Sequence, residues 1–152
     1  MTKSINNDIF IAAPLTSFNA GDFFLNNKRI CDLIKWIREN SLHKNIFYAG
    51  ENKYKKNNFD NPKIAIQIDL ETIHNSKYIL FIYPSKVITS AFVEIGYAIA
   101  LKKKVFILVK RREDLPFILQ ESDKVYNYIK IYDYTKDSCF EETFKDIVLL
   151  MK

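Results

Sequence analysis

The feature that most constrains the fold of this chain is a regular alternation of short apolar runs with longer segments of helical periodicity. The apolar runs are nearly continuous, which is typical of strands buried on both faces of a parallel sheet. A helix between two such strands allows both to run in the same direction. The predicted strands are the runs DIFIAA (8–13), NIFYA (45–49), YILFIYP (78–84), KVFILVK (104–110) and VYNYIKIYDY (125–134).

Helical periodicity is clearest between residues 22 and 40, where apolar side chains recur at i, i+3, i+4 and i+7. These side chains are Ile30, Leu33, Ile34 and Ile37. Asp22 is the predicted N-cap of this helix, because its carboxylate can accept from a free backbone N–H group. Further helices are predicted over residues 90–102, with Ser90 as N-cap, and over residues 140–151.

The segment 63–77 has an ambiguous pattern. Its apolar residues alternate, which favours a strand; they are Ile64, Ile66, Ile68 and Leu70. A proline at a typical helix start, Pro62 after Asn61, together with the length and the flanking strands, favours a helix. We predict a helix here, so that helices separate the second strand from the third as they separate the others.

Strands that alternate with helices predict an α/β fold with a parallel sheet covered on both faces. A chain of 152 residues is the size of one domain, 1–152. Five strands in this length match a flavodoxin-like or Rossmann-like doubly wound sheet of order 2-1-3-4-5. Ligands bind such sheets beyond the carboxyl ends of the strands, where the strand order reverses. We expect residues 12–18 and 83–90 to line that crevice, including Ala13, Pro14 and Ser85.

Composition narrows the function classes. The chain is 48% hydrophobic and 14% aromatic, which supports a packed core rather than disorder. Its formal charge of +5 arises from scattered lysines, which favour a solvated rim over a nucleic-acid surface. The apolar runs are too short to span a bilayer, and the polar start resembles no signal peptide. The two cysteines, Cys31 and Cys139, lie far apart in sequence and fit a reducing cytoplasm.

Glu94 is the candidate functional carboxylate. It lies near the start of the apolar helix 90–102, beside the positive end of the helix dipole, which favours an ionised carboxylate. The start of this helix is expected to face the crevice. Glu94 has apolar neighbours on both sides, which disfavours a plain surface position. Gly96, two residues later, is unfavourable inside a helix and indicates close approach of a backbone or a ligand.

The string VEIGYAIALKKKVFILV (93–109) resembles the nucleoside 2-deoxyribosyltransferase family, whose nucleophile lies in a Glu-Leu/Ile-Gly-Tyr-Ala pattern. Deoxynucleoside 5′-monophosphate N-glycosidases carry a similar signature. The strand and loop IFIAAPL (9–15) resemble the opening strand and substrate loop of the family. QIDLETIHNSKYILFIY (67–83) resembles its acidic segment and third strand. The resemblance spans most of residues 8–110.

The resemblance implies that Glu94 is the nucleophile and Asp69 its acidic partner. An ionised carboxylate can stabilise the positive charge that develops on a sugar ring, or bond to the anomeric carbon. A second carboxyl group can protonate or position the departing base. The implied reaction is cleavage of an N-glycosidic bond, or (deoxy)ribosyl transfer, on a nucleoside or nucleotide. No cofactor is implied, and no His, Cys and acidic residues have metal-ligand spacing.

Two positions depart from the family pattern. The family often has a tyrosine in the first strand that orients the nucleophile, whereas this chain has Phe10. Relatives often carry glycine in the loop before the helix, whereas this chain has Thr89 and Ser90. Their hydroxyls either cap the helix or bind a phosphate or ribose at its N-terminus. Tyr97 is a further predicted substrate-binding residue.

Other functions share this fold. One is a TIR-like NAD⁺ glycohydrolase or cyclase, which also uses a helix glutamate and also cleaves an N-glycosidic bond. Another is a non-catalytic nucleotide-sensing module, because a fold alone does not establish activity. Members of the resembled family commonly form homodimers or larger homo-oligomers. The aromatic segments 19–24 and 114–119 are candidate contacts, although their phenylalanines can also cap the core.

Overall fold

The computed structural model describes residues 6–15, 17–52 and 61–152. Its centre is a five-stranded parallel sheet whose strand order, β2-β1-β3-β4-β5, is the predicted order. The strands are β1 (Asn7–Ala12), β2 (Ile46–Tyr48), β3 (Ser76–Tyr83), β4 (Lys104–Val109) and β5 (Ile129–Asp133). The central strand β3 is buried over almost its whole length, as its continuous apolar sequence predicts.

Helices connect the strands and cover both faces of the sheet, which confirms the α/β fold class. The helices are α1 (Ala20–Asn40), α2 (Pro62–His74), α3 (Ala91–Ala100), α4 (Ser122–Val125) and α5 (Phe140–Leu150). Two short 3₁₀ turns, Arg112–Asp114 and Phe117–Leu119, lie between β4 and α4. No helix in the described part of the chain has the length and apolar character needed to cross a membrane.

The predicted N-cap of α1 is wrong. The helix begins at Ala20 and is capped by Asn19, whose side-chain oxygen accepts from the backbone N–H of Asp22 at 2.9 Å. Asparagine caps a helix as well as aspartate does, so residue type alone does not separate Asn19 from the predicted Asp22. The earlier start lets Asp22 lie in the first turn, where its charge favours the helix dipole.

The ambiguous segment 63–77 is helical up to His74. The Asn61 side chain accepts from the backbone N–H of Ile64 at 3.0 Å, and Pro62 occupies the first turn, where it needs no N–H partner. The alternating isoleucines do not mark a buried strand face. Ile64 and Ile66 are 42% and 51% exposed, whereas Ile73 is fully buried.

Two apolar layers, one on each face of the sheet, pack the helices against the strands. The layer on one face includes α1 and α5, with Ile34, Ile37 and Phe144 among its members. The layer on the opposite face includes α2 and α3, with Ile73, Ile95 and Ala98 packed against Phe81 and Ile107. Because α2 follows β2 and α3 follows β3, both helices begin at the carboxyl edge of the sheet. Their N-terminal halves are therefore neighbours beside that edge.

Candidate active site

The start of α3 places Glu94. Ser90 is the N-cap residue, as predicted, but its side chain makes no capping hydrogen bond. The cap is supplied by Thr89, whose hydroxyl oxygen accepts from the backbone N–H of Ala91 at 3.1 Å. Ala91, Ile95 and Ala98 bury one face of the helix. Glu94 precedes Ile95 and lies half-buried at the edge of that face.

A cavity of about 230 Å³ lies between α2 and the N-terminal half of α3, and we call it the carboxyl cavity. Its lining residues come from both helices and from the residue before α3; they are Pro62, Ala65, Ile66, Asp69, Leu70, Ser90, Val93 and Glu94. The structure thus brings together the two predicted catalytic residues, Asp69 and Glu94, with the predicted binding residue Ser90. The rest of the lining is mostly apolar, which is typical of small-molecule sites.

The carboxyl groups of Glu94 and Asp69 are joined by a hydrogen bond. Burial, together with the neighbouring charge and hydrogen bond of Asp69, raises the pKa of Glu94 to about 8. The expectation that the helix dipole keeps Glu94 ionised is therefore wrong. Loss of water and the negative charge of Asp69 outweigh the dipole, so Glu94 holds a proton at neutral pH.

Two hydrogen-bonded carboxyl groups that share one proton form a coupled acid–base unit. The pair can release its proton to a substrate and take one back later, so that it carries one proton before and after the reaction. When the proton moves from Glu94 to Asp69, Glu94 becomes a carboxylate within a largely apolar cavity. The arrangement therefore holds both a carboxylate nucleophile and a proton donor, which are the groups that glycosidic cleavage needs.

A hydroxyl that the sequence did not single out for this role fixes the loop before α3. Tyr83, at the end of β3, donates to the backbone carbonyl of Val87 at 2.7 Å and accepts from the backbone N–H of Val87 at 2.9 Å. Burial raises the pKa of Tyr83, so its hydroxyl keeps its proton. The tyrosine thus joins the end of β3 to the middle of the loop that carries Ser90.

Because β1 has Phe10 where the resembled family often has a tyrosine, Tyr48, Tyr83 and Tyr97 are candidate replacements, and of these Tyr83 organises the loop before α3. Tyr48 lies in the other apolar layer, where its hydroxyl donates to Asn27 at 2.9 Å. Tyr97 packs half-buried against the α2–α3 layer and does not line the carboxyl cavity. Phe10 is buried, and its ring stacks on Phe47 with 5.3 Å between centroids.

The remaining predicted binding residues do not line the carboxyl cavity. Ala13 and Pro14 follow β1, the first half-buried and the second buried. Thr89 serves as the helix cap described above. Ser85 is exposed and lines a different cavity, beside the carboxyl ends of β3 and β4. Contact of these residues, and of Phe10 and Tyr97, with a substrate stays a prediction.

No other part of the described chain approaches Gly96 closely. It is exposed, and a Cβ atom built there meets no described atom within 4 Å. The expected backbone neighbour is therefore absent from the described residues. Among those residues there is also no group of three or more His, Cys, Asp and Glu side chains that could hold a metal ion.

Comparison with protein-family models gives no match, and comparison with curated proteins gives none either. Two solved structures are similar over nearly the whole chain. A CMP N-glycosidase from Clostridium botulinum, BcmB, is 25% identical with a TM-score of 0.61, over 94% of this chain and 99% of that one. BlsM is 16% identical with a TM-score of 0.70, over 96% of this chain and 91% of that one, and shows the shared fold. The structural comparison confirms the resemblance to the nucleoside 2-deoxyribosyltransferase-like family that the sequence indicates.

Proposed function

We propose that this chain is an enzyme that cleaves the N-glycosidic bond of a nucleotide, with Glu94 as nucleophile and Asp69 as its acid–base partner. The observation that carries the proposal is the hydrogen-bonded carboxyl pair in a cavity between α2 and α3. The similarity to a CMP N-glycosidase over 94% of the chain supports the same reaction class. A nucleotide is accordingly the proposed partner, and no cofactor takes part.

In the first step the proton shared by the pair moves from Glu94 to Asp69. The Glu94 carboxylate then attacks the anomeric carbon of the sugar as the bond to the base breaks. The electrons of that bond go to the base nitrogen, and Asp69 donates its proton to the departing base. This step leaves a glycosyl ester on Glu94 and an ionised Asp69.

In the second step a water molecule attacks the anomeric carbon of the ester. Asp69, now ionised, takes one proton from that water, and the Glu94 carboxylate departs. The free sugar phosphate leaves, and the proton on Asp69 is again shared with Glu94. A second base in place of water would give (deoxy)ribosyl transfer by the same two steps. The pair carries one proton at the start and one at the end.

Binding of the remainder of the substrate is assigned to residues around the start of α3. Ser90 lines the carboxyl cavity, and its hydroxyl makes no capping bond, so it is available to a ribose or phosphate oxygen. We place Phe10, Ala13, Pro14, Thr89 and Tyr97 in the surrounding pocket by resemblance. Ser85 lies in the same loop before α3, and we propose that it makes a polar contact with the end of the substrate that is farthest from Glu94.

We also propose that the chain assembles as a homodimer or a larger homo-oligomer. Apolar side chains are exposed beside the carboxyl cavity; Ile66 is 51% and Val93 is 60% exposed. Association through this surface would remove apolar area from water and narrow the cavity. Sedimentation analysis tests this, since a monomer at micromolar concentration would contradict it. The cytoplasmic location stays a prediction.

A substrate panel tests the proposed function. Purified protein is incubated with nucleosides, nucleoside monophosphates, deoxynucleoside monophosphates and NAD⁺, and the free bases are separated by chromatography. We expect release of a base from a nucleoside monophosphate. Release of nicotinamide from NAD⁺ would instead identify the TIR-like activity. Tight binding of a nucleotide without release of any base would overturn the proposal in favour of a sensing module.

A further inference from the structure

A second cavity lies at the same edge of the sheet but outside the carboxyl cavity. It has a volume of about 480 Å³. Its walls are Pro84 to Lys86 after β3, Lys110 and Arg111 after β4, and Thr135 after β5, and we call it the cationic cleft. The cleft shares no lining residue with the carboxyl cavity, although one loop, between Tyr83 and Ser90, contributes to both.

The cationic cleft carries three side-chain cations, Lys86, Lys110 and Arg111, and one carboxylate, Asp114. Asp114 is buried, and its carboxylate accepts hydrogen bonds from the Nε and Nη2 groups of Arg111 at 3.4 Å and 3.1 Å. Lys110 is 3.8 Å from the exposed Asp137, too far for a strong hydrogen bond. Lys86 makes no ion pair with any residue that the structure describes. The positive charge of the cleft is therefore only partly balanced.

Hydrogen bonds connect the three segments that form the walls of the cleft. The backbone N–H of Thr135 donates to the Lys110 carbonyl at 2.9 Å, and that of Tyr134 donates to the Val109 carbonyl at 3.1 Å. The Tyr134 hydroxyl donates to the Pro84 carbonyl at 3.4 Å. Thr135 has φ of 56°, a backbone conformation that non-glycine residues adopt at a cost. These bonds join the carboxyl ends of the three strands, so they fix the backbone of the segments from which the cationic side chains extend.

The Arg111 guanidinium is oriented before any ligand arrives. Asp114 occupies its Nε and Nη2 groups, whereas its Nη1 group has no partner among the described residues. An oriented guanidinium with free N–H groups suits an anion with several acceptor oxygens. Two lysines nearby add charge without fixed geometry. This combination matches a phosphate group better than a single carboxylate, since phosphate offers more acceptors and more charge.

We propose that the cationic cleft is a phosphate-binding site, distinct from the carboxyl cavity, that uses Lys86, Lys110 and Arg111. The phosphate belongs either to the nucleotide substrate or to a separate phosphorylated small molecule. The first alternative rests on the proposed function, because it needs the nucleotide to extend across the loop that borders both cavities. The second alternative is independent of any catalytic activity.

The test is an NMR titration of the full chain with inorganic phosphate in a phosphate-free buffer. We expect saturable shifts of the backbone amides of Ser85, Lys86, Lys110 and Thr135. The double variant Lys86→Gln/Lys110→Gln should bind phosphate at least about tenfold more weakly, since two charge-assisted contacts are lost. Lys130→Gln is the matched control, because Lys130 is an exposed lysine on β5 outside the cleft, and it should bind as the wild type does.

Shifts confined to residues outside the cleft, or equal affinity in the double variant and the wild type, would overturn the proposal. Addition of CMP to the phosphate complex then distinguishes the two sources. CMP that displaces phosphate from the cleft amides identifies the phosphate of the substrate, and CMP that leaves it in place identifies a separate ligand. Because phosphate binding needs no turnover, failure of the substrate panel leaves this result unaffected.

Discussion

At the scale of single residues, the environment of Glu94 decides what the carboxyl cavity can do. A carboxyl group that is removed from water and faces another carboxylate gives up its proton only at high pH. Here both causes act on Glu94 and raise its pKa to about 8. A shared proton is then present at neutral pH, ready to pass to the base that leaves.

The stability of the protein should fall as pH rises because of Glu94. Its native pKa of about 8 exceeds the reference value of 4.5, so the native state holds a proton that the unfolded state has lost between these values. The stabilisation is fully present below about pH 4.5 and is lost as pH rises through about 8. The variant Glu94→Gln should remove this loss. Urea unfolding at pH 5, 7 and 8 measures the free energy of unfolding of both proteins. If this free energy depended on pH equally in wild type and Glu94→Gln, the prediction would be contradicted.

The rate of cleavage should depend on the same proton. Above about pH 8 Glu94 has lost the proton that the pair would pass to the base, so kcat/KM should fall about tenfold per pH unit. Asp69→Asn removes the neighbouring charge and should lower the pKa of Glu94. A carbon-13 NMR titration of the Glu94 carboxyl group measures that pKa directly. An unchanged or higher pKa in the variant would show that Asp69 is not the cause.

At the scale of elements, the loop between β3 and α3 positions both cavities. The Tyr83 hydroxyl holds this loop at Val87 through two hydrogen bonds. Its neighbours Pro84 to Lys86 line the cationic cleft, and Ser90 lines the carboxyl cavity. A change at Tyr83 should therefore affect ligand contacts on both sides of the loop.

Tyr83→Phe removes the hydroxyl and leaves the Val87 N–H without its partner. We expect a loss of about 1 kcal/mol in the free energy of unfolding and a several-fold lower kcat/KM, because the start of α3 is held less firmly. Tyr132→Phe is the control, since the Tyr132 hydroxyl has no hydrogen-bond partner in the part of the chain that the structure describes. Equal kcat/KM in wild type and Tyr83→Phe would argue against this role of the loop.

The glycines after β2 and within α3 should respond oppositely to alanine. A Cβ atom at Gly50 would clash with the Asn27 side chain and lie 2.7 Å from the Tyr48 ring, so Gly50→Ala should destabilise the fold by about 1–3 kcal/mol. Gly96 has open space around it within the described chain. Gly96→Ala should stabilise α3 by about 0.5–1 kcal/mol. Thermal unfolding of both variants checks the signs, and a destabilised Gly96→Ala would indicate that Gly96 has a neighbour beyond the described residues.

Most elements were predictable because their signals are local. The apolar runs predicted the strands, and Asn61 with Pro62 predicted the start of α2 against the alternating pattern of its isoleucines. The cap of α1 was missed because Asn19 and Asp22 are both suitable residues. The bond between Tyr83 and Val87 depends on how the loop folds back, which no local pattern in the sequence specifies.

At the scale of the whole molecule, the strand order explains where the candidate sites lie. The order β2-β1-β3-β4-β5 places the starts of α2 and α3 on one face beside the carboxyl edge of the sheet. Asp69 and Glu94 are far apart in sequence, yet this packing joins their carboxyl groups. The resemblance predicted the pairing of these residues. It implied that Glu94 is ionised and that Asp69 supplies the proton, whereas burial in the folded chain and the charge of Asp69 raise the pKa of Glu94.

The most direct test of the central claim is the rate of base release by wild type and Glu94→Gln, measured on the nucleotide that the substrate panel identifies, with CMP tried first. Glu71→Gln is the matched control, since Glu71 is an exposed carboxylate on α2 outside the cavity. We predict that Glu94→Gln lowers kcat by at least about a thousandfold while Glu71→Gln stays close to the wild type. Base release by Glu94→Gln at the rate of the wild type would contradict the account.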